Sequence, residues 1–193
     1  MKPQQIVRPG RIDHLGDDGR GYPIISTVGR DETGANFGSV NERRKLALAT
    51  FDWCAVCGLP FRSETRWQVV VGDGLALGVD QRDIRYFGEA PVHEICLVYA
   101  AQVCPHLSSP GHRLGDQYRA GRRREPTIRL AGFERTSEVR AFKSGLQRDA
   151  FVLHFAHTGF VGEIIYESPV ELHDHYMALL ERGGCPGSFF DGT

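Results

Sequence analysis

A Cys54-x-x-Cys57-Gly58 turn, followed further along by His93-x-x-Cys96, constrains this chain more than any other feature. Two thiolates so spaced can share one ion, and Gly58 permits the positive φ that lets backbone N–H groups approach the sulfurs. On a helix, residues i and i+3 lie on one face, so His93 and Cys96 can add an imidazole and a third thiolate. Cys54, Cys57, His93 and Cys96 then make a full tetrahedral set with no open position for a catalytic water. The pattern predicts a structural zinc site. Binding free energy of order 10 kcal/mol would become local folding free energy, the ion standing in for a hydrophobic core in this subregion.

Five cysteines occur, at 54, 57, 96, 104 and 185. An odd number in a chain that begins without an apolar export signal argues against a disulfide framework. A redox Cys-x-x-Cys would open a helix after a strand, whereas this pair follows a predicted helix and precedes Pro60. Cys104 competes with His93 for the fourth place. On one continuous helix it lies about 12 Å beyond Cys96 at 1.5 Å per residue, so it joins the site only if the helix breaks early. An iron–sulfur cluster on Cys54, Cys57, Cys96 and Cys104 is that alternative; otherwise Cys104 is a small buried apolar residue. Cys185 reads as incidental.

Around these motifs the pattern predicts a mixed chain. Residues 1–38 are rich in turns, with one short strand at Ile24–Val28. Ser39-x-x-Glu42 has the form of a capping box and predicts a helix over 40–50. Trp67–Val71 reads as a strand, Gly72-Asp73-Gly74 as a tight turn and Leu75–Val79 as a return strand, which together make a hairpin. Residues 91–103 favour a helix ended by Pro105. Knuckle, hairpin and helix in that order are the layout of a treble-clef zinc site. Strands follow at 127–131, 151–155 and, after a Gly-containing turn, 163–166. Ser168-Pro169-x-Glu171 and the later Gly183-Gly184 bracket a helix over 169–182.

Charge separates the segments. The formal total is −1, but residues 111–140 carry eight basic against four acidic side chains, centred on Arg119, Arg122, Arg123 and Arg124. That stretch reads as a Gly-rich exposed arm able to contact phosphates or an acidic protein surface. No run approaches the roughly 18 apolar residues of a membrane span, which predicts a soluble cytoplasmic protein. An HNH nuclease would need a general-base His on the hairpin, and no His lies between 57 and 93. His154 and His157 face opposite sides of a strand and read as partly exposed surface residues; His173 and His175 lie about 200° apart and read as solvating the last helix.

The order Arg20-Gly21-Tyr22-Pro23, Arg44-Lys45-Leu46-Ala47, Cys54-x-x-Cys57-Gly58-x-Pro60, Pro91-x-His93-x-x-Cys96 and Cys104-Pro105-His106-Leu107 resembles a family of uncharacterised proteins from actinobacteria and their phages. The likeness spans residues 20–110. The family pattern has Ala and Phe where this chain has Leu97 and His106, and every candidate ligand is retained. The resemblance implies a metal site with Cys104 as part of the pattern, and an actinobacterial or phage setting. It implies no reaction.

The expected architecture is a single α+β unit: a turn-rich segment (1–38), a treble-clef-like zinc core (39–110), an Arg/Gly-rich arm (111–126), and a further layer of strands and helix (127–193). The function expected is a non-enzymatic adaptor or regulator acting through another protein, in a phage or host DNA transaction. Direct DNA binding through Arg119, Arg122, Arg123 and Arg124 is the alternative. An enzyme or iron–sulfur protein of unrecognised type is the further one.

Overall fold

The computed structural model describes residues 5–32, 34–70, 84–104, 107, 128–143 and 151–183, the side chains of 38, 39 and 151 excepted. A 3-10 turn at Gly10–Ile12 precedes a two-stranded antiparallel sheet of β1 (Val28–Asp31) and β2 (Gly34–Val40). Then come α1 (Glu42–Thr50), β3 (Arg66–Val70), β4 (Arg85–Phe87), α2 (Glu94–Val103), β5 (Ile128–Lys143), β6 (Phe151–Tyr166) and α3 (Pro169–Arg182). The second sheet is antiparallel in the order β3-β5-β6-β4. The chain is therefore α+β, with three helices on two small sheets.

Local chemistry sets most boundaries. In α1 the cap is Asn41, whose side chain accepts the Arg44 N–H at 3.0 Å, and not Ser39. Ser39 lies instead in β2, a strand of low intrinsic preference formed by pairing with β1. The early strand is also displaced: it begins at Val28, because Ile24 bonds back to Gly16 and Ser26 N–H is taken by the Val56 carbonyl. In α3 the Ser168 hydroxyl accepts the Glu171 N–H at 3.2 Å and Gly183 ends the helix, as its sequence predicts.

The later strands are longer than their composition suggests. β5 and β6 each run 16 residues and pair from Ile128↔Tyr166 to Lys143↔Phe151. The Gly-containing segment at 159–162 is thus no turn. It lies within β6, with Gly159 at φ 69° and a bulge beside Val161; a second bulge at Ser137 on the other strand restores the register. The return strand expected at 75–79 lies outside the described residues. Among those residues β3 pairs with β5, and Trp67 also bridges to Val92 just before α2.

A main apolar core joins most of these pieces, with two small clusters around β4 beside it. It runs from Ile6 and Ile12 through Val56, Leu97 and Leu130 to Phe155, Leu172 and Tyr176. Seven of the ten residues of α2 are buried, consistent with a largely apolar helix enclosed by the core. α3 packs across it: the Tyr99 and Tyr176 rings lie 6.0 Å apart, and Gln102 meets His173 at 3.0 Å. His175 contacts Tyr166 and Glu94. His173 and His175 therefore tie α3 to its neighbours instead of only solvating it.

Candidate metal centre

Three backbone hydrogen bonds close the knuckle after α1. Cys54 N–H donates to Leu59 O, Gly58 N–H to Cys54 O, and Ala55 N–H to Pro91 O, at 2.8, 2.8 and 2.9 Å. Gly58 has φ 71°, a conformation that favours glycine, and a Cβ there would stand 2.5 Å from Ser26 Oγ and require that hydroxyl to turn away. The bond to Pro91 and the Trp67–Val92 bridge bring the start of α2 against the knuckle.

Cys54, Cys57, His93 and Cys96 consequently place one donor atom each within 4.8 Å of one another. All four residues are buried, none more than 2% exposed. No disulfide links the cysteines described, so this group could hold a metal ion. His93 is not inside the helix as its spacing suggested. It is the N-cap of α2, with extended backbone, and Cys96 follows in the first turn. The two donors still converge because the capping residue points its side chain along the same end of the helix.

The candidate ligands Cys54, Cys57 and Cys96 pack within the main hydrophobic core. The site therefore does not replace a core, as its sequence suggested, but is embedded in one. Burial makes the local electrostatics severe. It pushes the Cys54 thiol up, yet hydrogen bonds from Cys57, Cys96 and His93 outweigh it and hold Cys54 well below the usual thiol range. Hydrogen bonding to Cys54 raises Cys57 to about 12, and with burial it raises Cys96 as well. Three thiolates brought together at such depth would repel one another, and a bound cation would offset that charge.

The His93 ring is fixed from both sides. Nε2 accepts from Arg11 Nη1 at 3.1 Å, which puts the ring hydrogen on Nδ1, 3.4 Å from Cys57 Sγ, where a bound metal would take its place; the Phe61 ring lies tilted at 48° with centroids 4.3 Å apart. Arg11 is in turn held by Glu64 at 2.5 Å. Burial opposes ionisation of Glu64, but the Arg62 N–H and Arg11 keep its carboxyl below the ordinary range. Neither Arg11 nor Glu64 carries a local sequence signal, since the pairing depends on a turn 82 residues from His93.

Cys104 stays outside this group. α2 is unbroken from Glu94 to Val103, Cys104 caps its far end, and it borders an apolar cavity of about 320 Å³. Arg119, Arg122, Arg123, Arg124 and Cys185 lie outside the described residues. His157 departs from its expected exposure: it is fully buried, between Gln68 and Thr136.

Comparison with known proteins yields no match: no family profile, no curated protein and no solved structure corresponds to this chain. Among the described residues no helix is long and apolar enough to cross a membrane.

Proposed function

We propose that this chain is a non-enzymatic, zinc-scaffolded binding protein, in which Cys54, Cys57, His93 and Cys96 hold one structural zinc. The supporting observation is a complete set of four buried donors within 4.8 Å, which leaves no place for a substrate or water on the ion. Three soft thiolates and one imidazole suit tetrahedral zinc, while a four-cysteine iron–sulfur cluster would need Cys104, at the other end of α2. A knuckle after α1 and ligands at the start of α2 also support a treble-clef-like reading of residues 54–96. With chemistry shut out at the ion, the work falls to surfaces that the ion holds in place. A macromolecular partner in a DNA transaction fits that reading.

Cobalt substitution tests the centre directly. Visible absorption of tetrahedral cobalt with thiolate charge transfer is the expected spectrum, and His93→Ala should shift or abolish it. A five-coordinate spectrum, native iron, or zinc fully retained in His93→Ala would refute a closed three-cysteine, one-histidine site. Affinity for DNA through Arg119, Arg122, Arg123 and Arg124 is a separate reading, tested by whether Arg122→Ala/Arg123→Ala/Arg124→Ala removes a salt-sensitive interaction.

A further inference from the structure

Beside the knuckle, which contributes Gly58 to its lining, α1 and the N-terminal segment form an open cleft of about 570 Å³. Its wall on α1 is Arg44, Leu48 and Phe51, spaced i, i+4, i+7 and therefore on one helical face. Trp53 and Arg30 complete the rim. Phe51 is 69% exposed and Trp53 42%, a heavy apolar exposure for two adjoining rings whose centroids lie 6.2 Å apart.

The backbone presents these rings deliberately. Asp52, between them, has φ 57°, unusual for a residue with a side chain, and its carboxylate is gripped by the Arg66 guanidinium through both Nε and Nη2. Its charge is thereby neutralised beside the rings. Among the described residues no carboxylate lines the cleft, and neither Arg30 nor Arg44 has an acidic partner. Two exposed aromatic rings beside two guanidiniums without acidic partners match the chemistry of bases joined by phosphates. A concave cleft admits unstacked bases and not the edge of a duplex.

We infer that this cleft binds single-stranded nucleic acid, bases stacking on Phe51 and Trp53 and phosphates meeting Arg30 and Arg44. The inference rests on the zinc-scaffold reading, because Trp53 immediately precedes the ligand Cys54 and His14 Nε2–H, on the cleft floor, donates to the Cys57 carbonyl at 2.9 Å.

The test is anisotropy of a labelled oligothymidylate with full-length, zinc-assayed protein. Binding should quench Trp53 emission, Trp67 being buried. Phe51→Ala and Trp53→Ala should each weaken binding about tenfold. Arg30→Ala and Arg44→Ala should each lower the slope of log affinity against log salt by about 0.7. Phe51, Arg30 and Arg44 are surface positions, so their variants report on binding even where Trp53→Ala fails to fold. Zinc-loaded protein that ignores the oligonucleotide at low salt, or binds it with no change in these variants, overturns the cleft assignment. So does binding of an acidic peptide in its place. Folded protein without zinc overturns the scaffold reading, a result visible in the metal assay alone.

Discussion

His93 and His157 are both buried, at 2% and 0% exposure, yet their rings meet different partners. Around His93 stand three sulfurs, with Arg11 behind. Around His157 stand Gln68, Thr136, Phe87 and Phe133. Gln68 Nε2 donates both to Glu89 O at 2.9 Å and to His157 Nε2 at 3.0 Å, so the His157 hydrogen is on Nδ1 and points to Thr136 Oγ1. Burial pushes the His157 pKa down to about 3, which keeps the ring neutral. A buried imidazole with no soft or anionic neighbour is a hydrogen-bonded core residue; the same ring beside three cysteine sulfurs could serve as a metal ligand.

The contrast breaks most visibly at the sulfurs. Cys54→Ser should cost of order 10 kcal/mol of metal-coupled folding free energy, with zinc falling from about one per chain to none by elemental analysis. His157→Ala should cost about 3 kcal/mol in denaturant unfolding, through the cavity and the unpaired Gln68 and Thr136, with metal content unchanged. Loss of zinc in that variant would mean that the two histidines are not independent.

His157 also predicts a pH dependence. Its folded pKa, about 3, lies below the unfolded 6.5, so the unfolded chain binds the extra proton. Stability from this residue is complete above pH 6.5 and declines as pH falls toward 3, by about 1.4 kcal/mol per unit. His157→Gln, which has no proton to gain, should flatten that share of the curve in paired denaturation series. Thr136→Val, removing the Nδ1–H acceptor, should cost about 1 kcal/mol. Smallest is Cys104→Ala, expected to stay within about 0.5 kcal/mol and keep its zinc. A loss of metal there would restore Cys104 as a ligand.

The group that could hold a metal was legible in the chain because its four donors come in two short motifs, each shaped by a local turn or helix start. α3 was legible for the same reason: Ser168, Pro169 and Gly183 act on their own helix. Less was visible in the β5–β6 hairpin. Gly159 and Gly162 look like turn residues, and only pairing with β5 turns their segment into bulged strand. His157 was misjudged because i and i+3 on a regular strand face apart, whereas the bulge at Ser137 and the cover from Gln68 enclose it. Phe155, two residues before His157 and equally buried, was the available signal.

Spacing and residue type alone determined which atoms could bind a metal, where α3 begins and ends, and that the chain mixes helix and strand. Tertiary structure decided what encloses those atoms. Arg11 and Glu64 reach His93, and Asp52 with Arg66 turns Phe51 and Trp53 outward, through contacts between distant or oppositely facing segments. Local motifs act over one turn of chain, but burial, charge pairing and exposed faces depend on which remote segment packs alongside.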